Sequence, residues 1–237
     1  MNPNHGALYL IPCTLGDTPP LEVLPLLVKK AVEHIDHYIV ENEKSARRFI
    51  KNLVPRKSQP DLHFQLINKF THESEIPDML TPCLEGFDVG VISDAGCPGI
   101  ADPGATVVAQ AHLKGIKVVP LVGPSSILMA MMSSGFNGQN FAFNGYLPID
   151  KRERKDEIKR LERLSIEREQ SQLFIETPYR NNQMLESLLS TLHTDTQLCV
   201  ACDITLPSEY IYTTTVERWK KIKVDLMKRP TLFIIQK

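Results

Sequence analysis

The 237-residue sequence has no apolar run long enough to cross a bilayer. Its longest, around Leu121 to Met132, is interrupted by Gly123, Pro124, Ser125 and Ser126, against the roughly 20 residues a span requires. A soluble protein with no membrane partner is therefore expected. Met1 to Gly6 lack the basic region and apolar core of a secretory leader, so the expected location is the cytosol. Cysteines are few, odd in number and scattered, at positions 13, 83, 97, 199 and 202, which argues against a disulfide framework and fits a reducing compartment. Cys199 and Cys202 form a C-x-x-C, but no second pair completes a tetrahedral zinc site, and strand positions three apart face opposite ways. They read as buried thiols. The histidines include no H-E-x-x-H, so no metal ligand is assigned. G-x-G-x-x-G is absent after the first strand and G-x-x-x-x-G-K-[ST] is absent altogether, which weakens dinucleotide and nucleoside triphosphate binding. Excess charge is lacking too: at −1, with a pI near 6.7, only local basic patches remain to meet nucleic acid.

What is present is ordinary globular composition, 42% hydrophobic and 23% charged, in a chain long enough for two modest cores. The amino-terminal half alternates strands with helices. Strands are expected at Ala7 to Pro12, His37 to Glu41, Leu62 to Ile67, Val89 to Ser93 and Lys117 to Val122, with helices from Leu21 to His34, Ser45 to Leu53, Ile76 to Leu84, after Asp102, and Pro124 to Ser134. Such alternation implies parallel pairing with right-handed crossovers. After Gly135 the texture changes. A charged helix from Lys151 to Glu169 and one carrying Met184, Leu185, Leu188, Leu189 and Leu192 accompany strands at Phe141 to Asn144, Gln172 to Glu176, Leu198 to Asp203, Tyr210 to Thr215 and Thr231 to Gln236. These strands are β-branched and aromatic and are expected to include antiparallel pairs. The fold class is thus α/β, with an N-terminal parallel-sheet domain (1–136), a smaller C-terminal mixed-sheet domain (137–237) and a cofactor cleft between them.

In a parallel sheet, ligands gather at the carboxyl ends of the strands. Three loops there are unusual: Pro12 to Asp17, Ser93 to Gly104 and Val122 to Ser126. The second packs three glycines, two prolines and two aspartates into twelve residues, a density suited to close backbone approach to a ligand. Helix initiation alone accounts for Asp102, Pro103 and Gly104, and likewise for Gly123 and Pro124. It leaves Asp94, Ala95, Gly96 and Cys97 unexplained, and these read as binding residues. For Ser125 and Ser126, capping the next helix and presenting hydroxyls to a ligand both stand open.

Taken in order, these loops resemble the tetrapyrrole methylase superfamily of S-adenosylmethionine-dependent enzymes, and within it the ribosomal RNA small subunit methyltransferase I group. Ser93-Asp-Ala-Gly-Cys-Pro-Gly-Ile-Ala-Asp-Pro-Gly104 is similar to that group's S-D-A-G-x-P-x-x-x-D-P-G at every fixed position. Leu8 to Ile11 with Leu15-Gly16, Val119 to Ser126, Phe143 to Pro148 and Phe174 to Arg180 support it. The resemblance implies S-adenosyl-L-methionine as cofactor, contacting Leu15, Asp94, Cys97, Ser125, Ser126, Glu176 and Thr177. It also implies a homodimer and methylation of a cytidine ribose 2′-hydroxyl in ribosomal RNA. The chain departs from the group where E-D-T-R becomes Glu41-Asn-Glu-Lys44 and where R-E-L-T-K becomes Cys202-Asp-Ile-Thr-Leu206. Those changes bear on the acceptor more than on the donor, so a tetrapyrrole or other small-molecule acceptor, and a module that binds the donor without catalysis, remain alternatives.

Methyl transfer from a sulfonium needs an acceptor held in line and, for a hydroxyl, a base. Glu176 and Tyr179 are the candidates for the acceptor side, the Glu because it ends a strand and precedes Pro178, although a helix cap and a packing role would also explain them. Two stretches carry local positive charge: Lys151 to Arg163, with seven basic and four acidic residues, and Glu217 to Arg229, with six and two. The first reads as a solvated helix face. The second, with Arg218, Lys220, Lys221 and Lys223 around Trp219, is equally suited to RNA phosphates.

Overall fold

A computed structural model of the chain describes residues 4–68 and 70–237. Met1, Asn2 and Pro3 of the stretch read for a leader, and Lys69, lie outside the described residues. By backbone packing the chain forms two compact units, residues 1–125 and 126–237.

The first unit is a five-stranded parallel sheet in the order β3-β2-β4-β1-β5, built from β1 (Ala7–Ile11), β2 (His37–Val40), β3 (His63–Leu66), β4 (Val89–Ile92) and β5 (Lys117–Pro120). Period-2 alternation sorts its side chains onto two cores. Ile11, Tyr38, Val40 and Ile92 pack on one face, and Leu8, Ile39, Val89 and Val91 on the other. The helix expected over Leu21 to His34 is two, α1 (Pro20–Val23) and α2 (Leu26–His34). Proline forbids the helical region to the residue before it, and Leu24 accordingly lies extended at φ −109° and ψ 137° ahead of Pro25. After α3 (Glu43–Leu53), Ile76 to Leu84 likewise divides into α4 (Ile76–Met79) and α5 (Thr81–Leu84), each with a proline in its first turn. Helix α6 (Gly104–Leu113) follows the glycine-rich loop. Pro103 occupies its cap position and Asp102 stands one residue earlier, yet Asp102 Oδ1 still takes the Gly104 amide at 2.7 Å.

The second unit opens with α7 (Ser126–Ser134), two residues later than Pro124 suggested, and α7 packs on β9 and β10. Its sheet runs β6-β7-β10-β8-β9, from β6 (Phe141–Tyr146), β7 (Ser171–Ile175), β8 (Gln197–Cys202), β9 (Tyr210–Thr215) and β10 (Thr231–Gln236). Only β6 and β7 pair in parallel; the other neighbours are antiparallel, which makes this the mixed sheet expected. Helices α8 (Lys151–Glu167), α9 (Asn181–Thr191) and α10 (Val216–Trp219) complete it. Phe174 and Phe233 stack at 5.9 Å in a core shared with Leu188, Val200 and Trp219. Burial of each such side chain contributes about 1.5–3 kcal/mol, and the Trp219 indole N–H is satisfied by the Leu198 carbonyl at 2.8 Å. Among the described residues no helix is long and apolar enough to cross a membrane, no three His, Cys, Asp or Glu side chains group to hold a metal, and all five cysteines are free.

Candidate functional site

In the first unit the loops after β1, β4 and β5 close on one another through glycine. The Cys13 amide donates to the Gly96 carbonyl at 2.8 Å, joining the first loop to the second. Gly96 has φ +69°, where side chains are strained. A Cβ there would meet Leu15 Cδ2 at 3.1 Å and the Pro124 carbonyl at 3.5 Å, and a Cβ on Gly123 would lie 2.3 Å from the Pro12 ring. The Cys97 thiol donates to the Pro124 carbonyl at 3.4 Å, tying the second loop to the third. Burial raises its pKa, so it remains a neutral thiol at neutral pH. Asp102 organises the end of the second loop, its Oδ1 accepting from the Gly99 and Gly104 amides at 2.8 and 2.7 Å.

Beside these loops lies a cavity of ≈ 240 Å³, lined in part by Leu15, Thr18, Ser45, Arg48 and Asp94. That is somewhat less than the roughly 300–1,000 Å³ usual for a ligand pocket, enough for part of a nucleoside-sized molecule. The polar face of α3 that borders it, Ser45, Arg48 and Asn52, follows helical spacing. Thr18 Oγ1 is buried without a hydrogen-bond partner. The Asp94 amide donates to Glu41 Oε1 at 3.3 Å, bringing the ends of β2 and β4 together. Burial raises the pKa of Glu41, reinforced by the negative charges of Asp102 and Asp94. Burial also raises that of Asp102, against the lowering effect of its two amide bonds. Asp102 Oδ2 is buried with no partner. In the cavity lining, the Asp94 carboxylate and the unpartnered Thr18 hydroxyl suit a ligand with hydroxyls and positive charge, so the residues present fit an adenosyl sulfonium.

In the second unit Glu176 follows β7 and is 5% exposed. Its Oε1 accepts the Thr177 amide and Arg180 Nη2, both at 2.6 Å, so the carboxylate braces the turn into α9. Arg180 Nε is buried and unpartnered. Tyr179 is 68% exposed, and Lys228 Nζ stands 5.9 Å from its ring centroid.

The structure therefore brings Leu15, Asp94 and Cys97 together in the first unit and Glu176, Thr177 and Tyr179 together in the second. Ser125 ends the first unit and Ser126 begins α7. Sequence reasoning passed over Thr18 and the polar face of α3, and took Glu41 only as part of the departure at Glu41 to Lys44. The i, i+3, i+7 spacing of Ser45, Arg48 and Asn52 is the signal that points to that face; nothing local points to Thr18.

No family model matches the chain. Ribosomal RNA small subunit methyltransferase I of Leptospira borgpetersenii is 30% identical over 237 residues, 98% of this chain and 89% of that protein. The protein of that name from Vibrio cholerae is 28% identical over 204 residues, 86% of this chain and 67% of that protein. Among solved structures the methyltransferase CobJ shares the fold, with a TM-score of 0.65 at 16% identity over 98% of this chain and 94% of that one.

Proposed function

The chain belongs to the ribosomal RNA small subunit methyltransferase I family, and from that premise we propose that it transfers a methyl group from S-adenosyl-L-methionine to a cytidine ribose 2′-hydroxyl of small-subunit ribosomal RNA, as a cytoplasmic homodimer. The observation that carries this reading is the closure of three loops on Gly96, with Leu15, Asp94 and Cys97 at the junction. These residues, with Ser125, Ser126, Glu176 and Thr177, are proposed to hold the donor.

Bound there, S-adenosylmethionine supplies a methyl group already activated on sulfonium sulfur, so the protein's work is positioning and proton acceptance. The Asp94 carboxylate, exposed beside the cavity, accepts hydrogen bonds from ribose hydroxyls or an ammonium group. The neutral Cys97 thiol does not compete as a nucleophile for the methyl group. Glu176 and Tyr179 form the acceptor-side pair. Glu176 fixes the turn through Thr177 and Arg180, and Tyr179 presents ring and hydroxyl to the acceptor.

Calorimetric titration with S-adenosylmethionine tests the donor. Asp94→Ala is expected to weaken binding about 10- to 100-fold, the range for a hydrogen bond to a charged group. Incorporation of labelled methyl into unmethylated small ribosomal subunits, set against a porphyrinogen, tests the acceptor. Absence of donor binding sinks the proposal. Methylation of the porphyrinogen alone reassigns the acceptor, and binding with turnover on neither leaves a non-catalytic module.

A further inference from the structure

The second unit carries a line of cations that the donor site does not use. Arg218, Lys220, Lys221, Lys223 and Lys228 are all exposed. None pairs with a carboxylate among the described residues, whereas Arg229, next in line, is held by Asp203 at 2.7 Å. Past α10 the segment is not helical, so these lysines are not one face of a helix neutralised by acids a turn away. It is pinned from beneath. Trp219 and Leu226 are fully buried, the Leu226 amide donates to Asn182 Oδ1 at 2.8 Å, and Asn182 Nδ2 donates to Asp225 at 2.8 Å.

Those contacts fix its course along α9. Ile222 and Lys223 share a surface groove with Leu185 and Leu189, and Asp225 and Leu226 meet Asn182 at the amino-terminal end of the helix. The Lys228 amide then donates to the Pro178 carbonyl at 2.9 Å. Lys228 has φ +60°, and this turn sets its ammonium over the exposed Tyr179 ring. A row of unpaired cations thus ends at an exposed aromatic face. The acids on this course are Glu186, Glu217 and Asp225. Asp225 is engaged by Asn182 and the Met227 amide, so positive charge dominates. Cations that track a phosphate backbone, together with an aromatic ring on which a base stacks, are the elements of single-stranded nucleic-acid recognition.

We propose that the exposed face formed by Arg218, Lys220, Lys221, Lys223 and Lys228 along α9, ending at Tyr179, is a track for single-stranded RNA, with the cations on phosphates and the Tyr179 ring beneath a base. This rests on the reading that the acceptor is ribosomal RNA.

The test is fluorescence anisotropy of the full chain with a labelled single-stranded oligonucleotide of small-subunit ribosomal RNA sequence, titrated across salt concentrations. The triple variant Lys220→Gln, Lys221→Gln, Lys223→Gln alters exposed residues only. It is expected to lower the slope of log affinity against log salt by about 2, at roughly 0.7 per lost phosphate contact, and to bind at least about tenfold more weakly at low salt. Tyr179→Ala should weaken binding about tenfold or more, and Tyr179→Phe should not, because stacking needs the ring and not the hydroxyl. Wild-type affinity and slope in the triple variant overturn the proposal, as does absence of RNA binding by the wild type or tighter binding of the duplex than of the single strand. Donor calorimetry and methyl incorporation run in parallel. A wild type that methylates ribosomal RNA while the triple variant binds it unchanged removes the track alone. A wild type that binds RNA through these lysines but methylates none removes the functional reading alone.

Discussion

The two units each set loops at the ends of a five-stranded sheet, but they make the tight turns from different material. Among the described residues the left-handed positions of the first unit are glycines, 86, 96, 99 and 115, with Ala101 as the exception; in the second, Gly135 and Gly145 are joined by Glu169, Asp203, Thr205 and Lys228. A side-chain-bearing residue costs about 1–2 kcal/mol in that conformation, so the second unit needs compensating bonds. They are visible. The Asp203 carboxylate accepts from Arg229 Nε and Ser208 Oγ at 2.7 and 2.8 Å, and the Asp203 amide donates to the Pro230 carbonyl at 2.9 Å. The Thr205 amide is taken by Glu209 at 2.8 Å. Glycine lets backbone approach backbone, as the proposed donor site requires. A left-handed side chain is instead held inward by a polar network, as at Asp203, or left exposed, as at Lys228.

The contrast breaks hardest at Gly123. Its missing Cβ faces a proline ring at 2.3 Å, and a ring cannot rotate aside as a flexible side chain does. Gly123→Ala should therefore cost the first unit about 3 kcal/mol, the upper end of ordinary overpacking, and should displace the carbonyls near Cys97 so that donor binding falls with stability. Chemical denaturation and calorimetry read both. A loss below about 1 kcal/mol would mean that the loops are loosely fitted and that glycine here is dispensable.

In the second unit the corresponding lesion is polar. Asp203→Ala removes a carboxylate that is 6% exposed and leaves Arg229 without its ion pair. A fully buried pair broken in this way costs about 3–5 kcal/mol. Because the Arg229 side chain is 28% exposed, water recovers part of that, and about 2 kcal/mol is expected. Asp203→Asn, which keeps an acceptor and tolerates φ +51°, should cost about half as much. A loss below about 0.5 kcal/mol for Asp203→Ala would show that the carboxylate does not hold the loop.

The same difference in material decides what could be read in advance. Glycine and proline marked the Ser93 to Gly104 loop because their conformational roles are local, and the apolar spacing of Met184, Leu185 and Leu188 marked α9, where all three are buried. The strands Tyr210 to Thr215 and Thr231 to Gln236 fall where their β-branched and aromatic residues put them. The strand order β3-β2-β4-β1-β5 left no such trace, and without it the meeting of Glu41 with Asp94, 53 residues apart, was not foreseeable. Nor was the Asp203–Arg229 pair, 26 residues apart, because a left-handed Asp or Lys looks like any other surface residue. The approach of Lys228 to the Tyr179 ring, far apart in sequence, left no local trace either.

The smallest effect is the most discriminating. Lys228 adopts φ +60° and stands over Tyr179, so Lys228→Gly removes a conformational cost of about 1–2 kcal/mol. It also adds about 0.5–1 kcal/mol of unfolded-state entropy and loses an exposed cation–π contact of about 0.5–1 kcal/mol. These nearly cancel, and the second unit should unfold within about 0.5 kcal/mol of the wild type. RNA binding, by contrast, should lose about 0.7 of a unit of salt slope, because one single-strand phosphate contact is gone. Stability held constant while the slope falls would identify the lysine as a residue kept for its charge at a small conformational cost. A loss above about 1 kcal/mol with unchanged slope would make it a structural latch, and the second unit's left-handed side chains would then serve folding, as the glycines of the first unit do.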